Sequence, residues 1–155
     1  FDIDMAINKQ LIQIINKIGN TKKHIEWHVK FHSGKYFAHK DMINHKVKIV
    51  NGLLINILKN YDLALTVSNS GASIDAYILH IPLIIFKSNS NIDFSPFKKF
   101  SNSVLFVNNE NELREYLISF KIDQKNNIYK NNLIWHDPGL TKWKNLLIKV
   151  QNKLL

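Results

Sequence analysis

The residues with the most chemical potential stand between two apolar runs: Ser68-Asn69-Ser70-Gly71, with Asp75 four residues beyond the glycine. Serine hydroxyls and bare glycine backbone meet the start of a helix at Ala72, just where a strand over Leu63 to Val67 ends. A helix opens with unpaired backbone N–H groups, and these attract anions, phosphate above all. Ser68, Ser70, Gly71 and Ala72 are therefore the candidate anion-binding residues. Asp75 falls on the same helix face as Gly71, where a carboxylate can accept hydrogen bonds from ribose hydroxyls beside such a phosphate. Plainer roles stand beside these: Ser68 or Ser70 as an ordinary helix N-cap, and Asp75 as a solvated residue or a lysine partner.

Two further groups are expected at the same sheet edge. Residues 25–31 (IEWHVKF) alternate apolar and polar as a strand does, and His32 ends that strand. His32 is the candidate catalytic residue, able to hydrogen-bond a phosphate or a leaving group, while Lys30 supplies positive charge. The chain has seven histidines, most of them ordinary surface or partly buried residues. His24, His28, His39 and His45 do not repeat a ligand spacing, and no cysteine or acidic partners cluster with them, so no metal is expected. Residues 88–95 (SNSNIDFS) form a polar loop after the apolar run Leu83 to Phe86. Asn89, with Ser90 and Asn91, can contact a sugar or a base, or simply face solvent.

The elements that must position these residues follow from periodicity. Residues 4–18 carry Met5, Ile7, Leu11, Ile12, Ile14, Ile15 and Ile18 at helical spacing, with Gly19-Asn20 as the stop. Residues 33–45 read as polar and irregular, 46–50 as a strand, and 53–59 as a short helix. After the Ser-Gly unit, 104–107 reads as a strand and 110–120 as a helix. Asn108 or Asn109 is its N-cap, and Glu110 and Glu112 suit its dipole. Residues 121–132 are a polar connector, and 140–155 an amphipathic helix through Trp143, Leu146, Leu147, Val150 and Leu154, expected to pack on the core. Strands alternating with helices predict an α/β domain of three layers, Rossmann-like, around a mainly parallel sheet. The apolar strands 63–67 and 83–86 are expected at its centre.

Composition sets the outer bounds. The 155 residues suit a single domain, 1–155, and 45% hydrophobic content argues for a packed core. There is no cysteine, which excludes disulfides and thiolate metal sites and accords with a cytosolic setting. No apolar run approaches the roughly 20 residues of a membrane helix. The first residue is Phe1, with no native start or signal peptide in view, so the expectation is a piece of a longer chain. A net charge of +9 invites a nucleic-acid partner, yet among 21 basic residues Arg114 is the one arginine. Arginine is the residue suited to bidentate phosphate and base contacts, and the lysines are scattered. No specific nucleic-acid binding is expected; weak attraction to an anionic membrane surface is.

In order and spacing, several short motifs resemble the C-terminal, donor-binding half of GT-B-fold glycosyltransferases, most of all those of bacterial surface and capsular polysaccharide that use CMP-activated Kdo or sialic acid. The matching residues are Lys30-Phe31-His32; Tyr61-Asp62-Leu63-Ala64-Leu65; Ser70 through Ala76; and His80-Ile81-Pro82-Leu83-Ile84-Ile85. The loop at Asn91-Ile92-Asp93 and the helix at Asn111-Glu112-Leu113 are similar too. The resemblance spans residues 25 to 120. Ser33 stands where the family has proline after the histidine, Asp75 where it has glutamate, and His80 where it has glycine; the shorter Asp75 alters the reach of a ribose contact. What the resemblance implies is a nucleotide-sugar donor domain, without a bound cofactor, whose Ser70 and Gly71 hold the donor phosphate. It also implies an N-terminal domain of the same chain as partner, and a cytoplasmic place at the inner face of the membrane. Trp135 and Trp143 would suit docking on that other domain, although packing within this one is the plainer expectation for them. A non-catalytic interaction domain on the same fold, and a lysine-rich nucleic-acid binder, are the alternatives.

Overall fold

In a computed structural model of the chain, residues 3–21, 25–31, 40–87, 95, 97, 104–120 and 139–154 are described. His32, Asn89, Ser90, Asn91 and the 121–132 and Trp135 to Pro138 segments lie outside them.

Helix α1 (Ile3–Thr21) buries the stripe Ile7, Leu11, Ile14, Ile15 and Ile18, the face that its 3.6-residue period creates. It runs through Gly19, where the sequence placed its end. A Cβ at Gly19 would stand 3.5 Å from Trp27 Cδ1 and 3.9 Å from Val47. The glycine therefore lies where the helix backbone approaches the strands, and the buried stripe carries the helix past it. Strand β1 (Trp27–Val29) pairs in parallel with β2 (Val47–Ile49), Trp27 opposite Val47. Between them Lys40–Met42 forms one 3-10 turn in a stretch expected to be irregular. Asn16 of α1 ties this stretch down: its Nδ2 donates to Met42 O (2.7 Å) and its Oδ1 accepts from Asn44 N (3.0 Å).

The remaining elements are α2 (Leu54–Leu58), β3 (Ala64–Val67), α3 (Ala72–Ile78), β4 (Leu83–Phe86), β5 (Leu105–Val107), α4 (Glu110–Ser119) and α5 (Thr141–Leu154). Strands β3, β4 and β5 form a second sheet, again all parallel, with Ala64 opposite Leu83 and Ile84 opposite Leu105. All four residues of β4 are buried, as a central parallel strand requires. Side chains from its two faces join two cores. Ile84 and Phe86 pack with α1 and α4, while Ile85 and Leu83 pack with Leu58 of α2 and with Ala76 and Tyr77 of α3. Each fully buried Ile, Leu or Phe contributes about 1.5–3 kcal/mol, so this strand anchors the molecule.

The chain is thus α/β with parallel strands, but three expectations need correction. The described strands form two sheets instead of one. Among the described residues the run 63–67 is an edge strand, because β3 pairs there with β4 alone, and its Leu65 and Val67 remain half-buried. Helix α5 does not join the core: Trp143 is 63% exposed and Leu146, Leu147 and Val150 are also exposed. An amphipathic stripe shows that a helix has an apolar face; it does not place the partner within the same domain. No helix among the described residues is long and apolar enough to cross a membrane.

Candidate functional site

A groove of about 940 Å³ lies between β1 and β3. Residues 25–31 line one side, and Tyr61, Leu63, Leu65 to Val67 and Asn69 to Ala72 line the other. Leu11, Ile12 and Ile15 of α1 form part of its wall. Of the residues singled out from the sequence, Lys30, Ser70, Gly71 and Ala72 all line this groove, while Ser68 and Asp75 do not. Ser68 is buried and its N–H donates to Phe86 O (3.0 Å), extending the β3–β4 ladder. Asp75 sits half-buried on α3.

The turn after β3 is built by Asn69, whose φ of 70° is the left-handed conformation that asparagine tolerates better than most residues. It helps swing the chain from strand to helix within four residues. Ser70 N then donates to Val67 O, Ser73 N to Ser70 O and Ile74 N to Gly71 O. The N–H groups of Gly71 and Ala72 have no partner among the described residues, nor does the Ser70 hydroxyl. Neither Ser68 nor Ser70 caps the helix, since no side chain accepts from its first N–H groups. Ser73 Oγ instead donates to Ser70 O (2.6 Å). Gly71 has φ −59° and ψ −26°, values open to any residue, and a Cβ built on it meets nothing within 4 Å. The backbone does not demand glycine there; the glycine leaves open space next to two N–H donors without a partner among the described residues.

A second polar group in the groove was not foreseen beyond His28's place in a histidine count. His28 Nδ1 lies 2.6 Å from Tyr61 Oη and His28 Nε2 lies 3.0 Å from Glu26 Oε1, with the His28 and Tyr61 rings edge to face at 5.3 Å. A carboxylate only accepts, so Nε2 carries the proton; in the neutral ring Nδ1 then accepts from the Tyr61 hydroxyl. Lys48, opposite His28 across the β1–β2 pairing, also bonds Glu26 Oε1. Hydrogen bonds from Lys48 and His28 hold the Glu26 carboxyl down to about 2. Burial, with Glu26 nearby, pushes the Tyr61 phenol above its ordinary value. The alternation of IEWHVKF did put Glu26 and His28 on one strand face, but Tyr61 is 33 residues away, and no local pattern pairs them.

Among the described residues no three His, Cys, Asp or Glu side chains are grouped to hold a metal ion. No family model matches the chain, and no protein of curated function and no solved structure is similar enough to count as a match. The groove's chemistry therefore rests on its own residues. Two N–H donors and one hydroxyl without a partner among the described residues line a single groove with Lys30, and the groove's carboxylates, Glu26 and Asp62, lie outside the Ser70-Gly71-Ala72 turn.

Proposed function

We propose that this chain is the nucleotide-sugar donor-binding domain of a glycosyltransferase of bacterial surface polysaccharide, built as a three-layer Rossmann-like unit, one half of a GT-B fold. The observation that carries the proposal is the pair of unpartnered N–H groups at Gly71 and Ala72 beside the free Ser70 hydroxyl, in the groove that Lys30 also lines. The turn lies at the carboxyl end of a parallel strand, the edge at which open α/β sheets bind ligands.

In this role the donor's phosphate rests on the Gly71 and Ala72 N–H groups and accepts from Ser70, with Lys30 adding charge. Negative charge builds on the nucleotide phosphate as the glycosidic bond to it breaks, and fixed donors in that place lower the barrier. His32 hydrogen-bonds the leaving group, Asn89 contacts the sugar, Asp75 reaches the ribose from one turn along α3, outside the groove's lining, and no metal is needed. The acceptor site and the catalytic base belong to an N-terminal domain of the same chain. Work on polysaccharide precursors sets the enzyme at the cytoplasmic face of the membrane, where its +9 charge favours anionic lipid.

Calorimetric titration of the chain with CMP, UDP and GDP tests this. One nucleotide, with CMP the first expectation, binds, and Ser70→Ala weakens it about tenfold, the worth of one hydrogen bond to a charged group. Absence of heat with all three nucleotides, or affinity untouched in Ser70→Ala, refutes it.

A further inference from the structure

The groove has a second property, independent of any nucleotide: its two long sides are strand edges with no strand partner among the described residues. A pocket against one face of a strand touches alternate residues, because successive side chains point to opposite faces. This one touches every residue from Ile25 to Phe31, which is how the edge of a strand is met. The hydrogen bonds agree. Val50 N donates to Val29 O, so the backbone groups of Trp27 and Val29 point to β2, and those of His28 point the other way, into the groove. Ala64 N donates to Pro82 O and Ser68 N to Phe86 O, so residues 64, 66 and 68 face β4, and Leu63 and Leu65 face the groove. The backbone N–H and C=O groups of His28, Leu63 and Leu65 have no partner among the described residues.

Buried side chains are unsatisfied at the same place. Trp27 Nε1 and Thr66 Oγ1 are buried without a hydrogen-bond partner, and both residues line the groove, one from each flanking strand. Strand β3 carries Ala64 and Thr66 on one face and Leu65 and Val67 on the other, mostly apolar as an interior parallel strand is, yet one of its edges has no partner among the described residues. Natural sheets seldom leave such an edge open.

We propose that the groove is the seat of one further β-strand, apolar on both faces and parallel to β1 and β3. Seated there, it joins the two sheets into one of order β2-β1-strand-β3-β4-β5. Polypeptide leading into α1 is the occupant that the handedness selects. The crossover from β3 to β4 passes through α3 on one face of the sheet, and α1 packs on the other face. A strand in the groove linked through α1 to β1 steps along the sheet in the opposite direction, on the opposite face. It therefore has the same hand as β3-α3-β4, the right-handed crossover that nearly all such units adopt. Two-sided hydrogen bonding by β1 and β3 is something only an extended backbone can satisfy, so a lipid or a small apolar ligand does not fit this seat. The strand occupies the length between the β1 and β3 edges, and the order of strands then reverses beside β3, leaving the Ser70 turn, past the carboxyl end of β3, open at a topological switch point.

The test joins the segment Lys-Ile-Val-Val-Ile to the front of Phe1 through a Gly-Ser linker, with a control in which two of its residues are proline. Proline cannot donate to a ladder. Hydrogen exchange, thermal unfolding and light scattering are followed for the native chain and both extensions. The strand extension is expected to slow exchange of the His28 and Leu65 amides by about tenfold or more and to raise Tm by about 5 °C or more; the proline control does neither. Unchanged His28 and Leu65 exchange in the strand extension overturns the proposal, as does a Tm rise shared with the proline control. A native chain that is already dimeric with those amides protected overturns it too, since a second copy would then hold the seat.

Discussion

Gly71 separates folding from binding. Its φ of −59° and ψ of −26° lie in the ordinary helical region, so alanine fits without strain, and the new methyl meets nothing within 4 Å. Where the native conformation suits both residues, Gly→Ala stabilises by about 0.4–1 kcal/mol, by narrowing the unfolded ensemble. The usual preference for glycine over alanine at a helix cap applies to extended cap residues, and Gly71 is not extended. For a chain of this length about 1 kcal/mol moves Tm by roughly 2–4 °C, so Gly71→Ala should melt about 1–4 °C higher. The same methyl takes up open space at the residue whose N–H, with that of Ala72, is to receive a phosphate. Losing one charge-assisted hydrogen bond costs about 1.5–3 kcal/mol, which weakens nucleotide binding roughly 10- to 100-fold. Scanning calorimetry with and without CMP reads both effects in one experiment: the variant gains in the apo scan and loses the ligand-induced shift. A variant that gains stability and keeps full affinity would refute the close approach at Gly71. One that loses stability would refute the structural account of the turn.

Other outcomes follow from the same reasoning. Gly19→Ala should stabilise by about 0.5–1 kcal/mol, seen in urea unfolding, because Gly19 lies inside α1 with ordinary room for a methyl beside Trp27. Asn109→Ala should cost about 1 kcal/mol in the same assay, since Asn109 Oδ1 accepts from Glu112 N (3.0 Å) at the start of α4. Acid should destabilise in a defined window. Glu26 is held down to about 2, and Glu110 and Glu112 below the ordinary 4.5, by their hydrogen bonds from Lys48, from Arg114 and from Asn108 respectively. Carboxylates with depressed folded values give stability that is fully present above the ordinary value and lost as pH falls through the folded one. The urea midpoint should therefore drop between about pH 4.5 and pH 2, and less steeply in Glu26→Gln, Glu110→Gln and Glu112→Gln.

Local chemistry made much of the fold legible. The run Leu83 to Phe86 announced a buried strand, and Asn109 with Glu112 announced a helix start that the structure builds: Asn108 N donates back to Glu112 Oε2 at 2.8 Å while Asn109 takes Glu112 N. Errors arose where a residue has two physical uses. Gly19 reads as a helix stop but lies where the helix backbone approaches Trp27 and Val47. The serines at 68 and 70 offer either an anion contact or a helix cap; no side-chain cap forms, and the turn's hydroxyl bond comes from Ser73. The apolar faces of β3 and α5 were visible in the sequence, but the partners of those faces were not. Leu65 and Val67 look like central-strand residues and stand at an edge, and Trp143 looks like core and stands in solvent. For the site, adjacency in sequence gave Ser70, Gly71 and Ala72. Lys30, near the end of its strand, is expected at the same edge and lines the groove; bringing Tyr61 to Glu26 and His28 took tertiary packing across more than 30 residues, which no local pattern encodes.

The central claim is that a nucleotide phosphate rests on the Gly71 and Ala72 N–H groups, and amide NMR tests it most directly. In a titration of the uniformly ¹⁵N-labelled chain with CMP, the Gly71 and Ala72 amide protons should shift downfield saturably, by more than any others in the spectrum, as each gains a charge-assisted hydrogen bond. Saturable binding that leaves those two amides in place, or no binding of CMP, UDP or GDP at all, would contradict it.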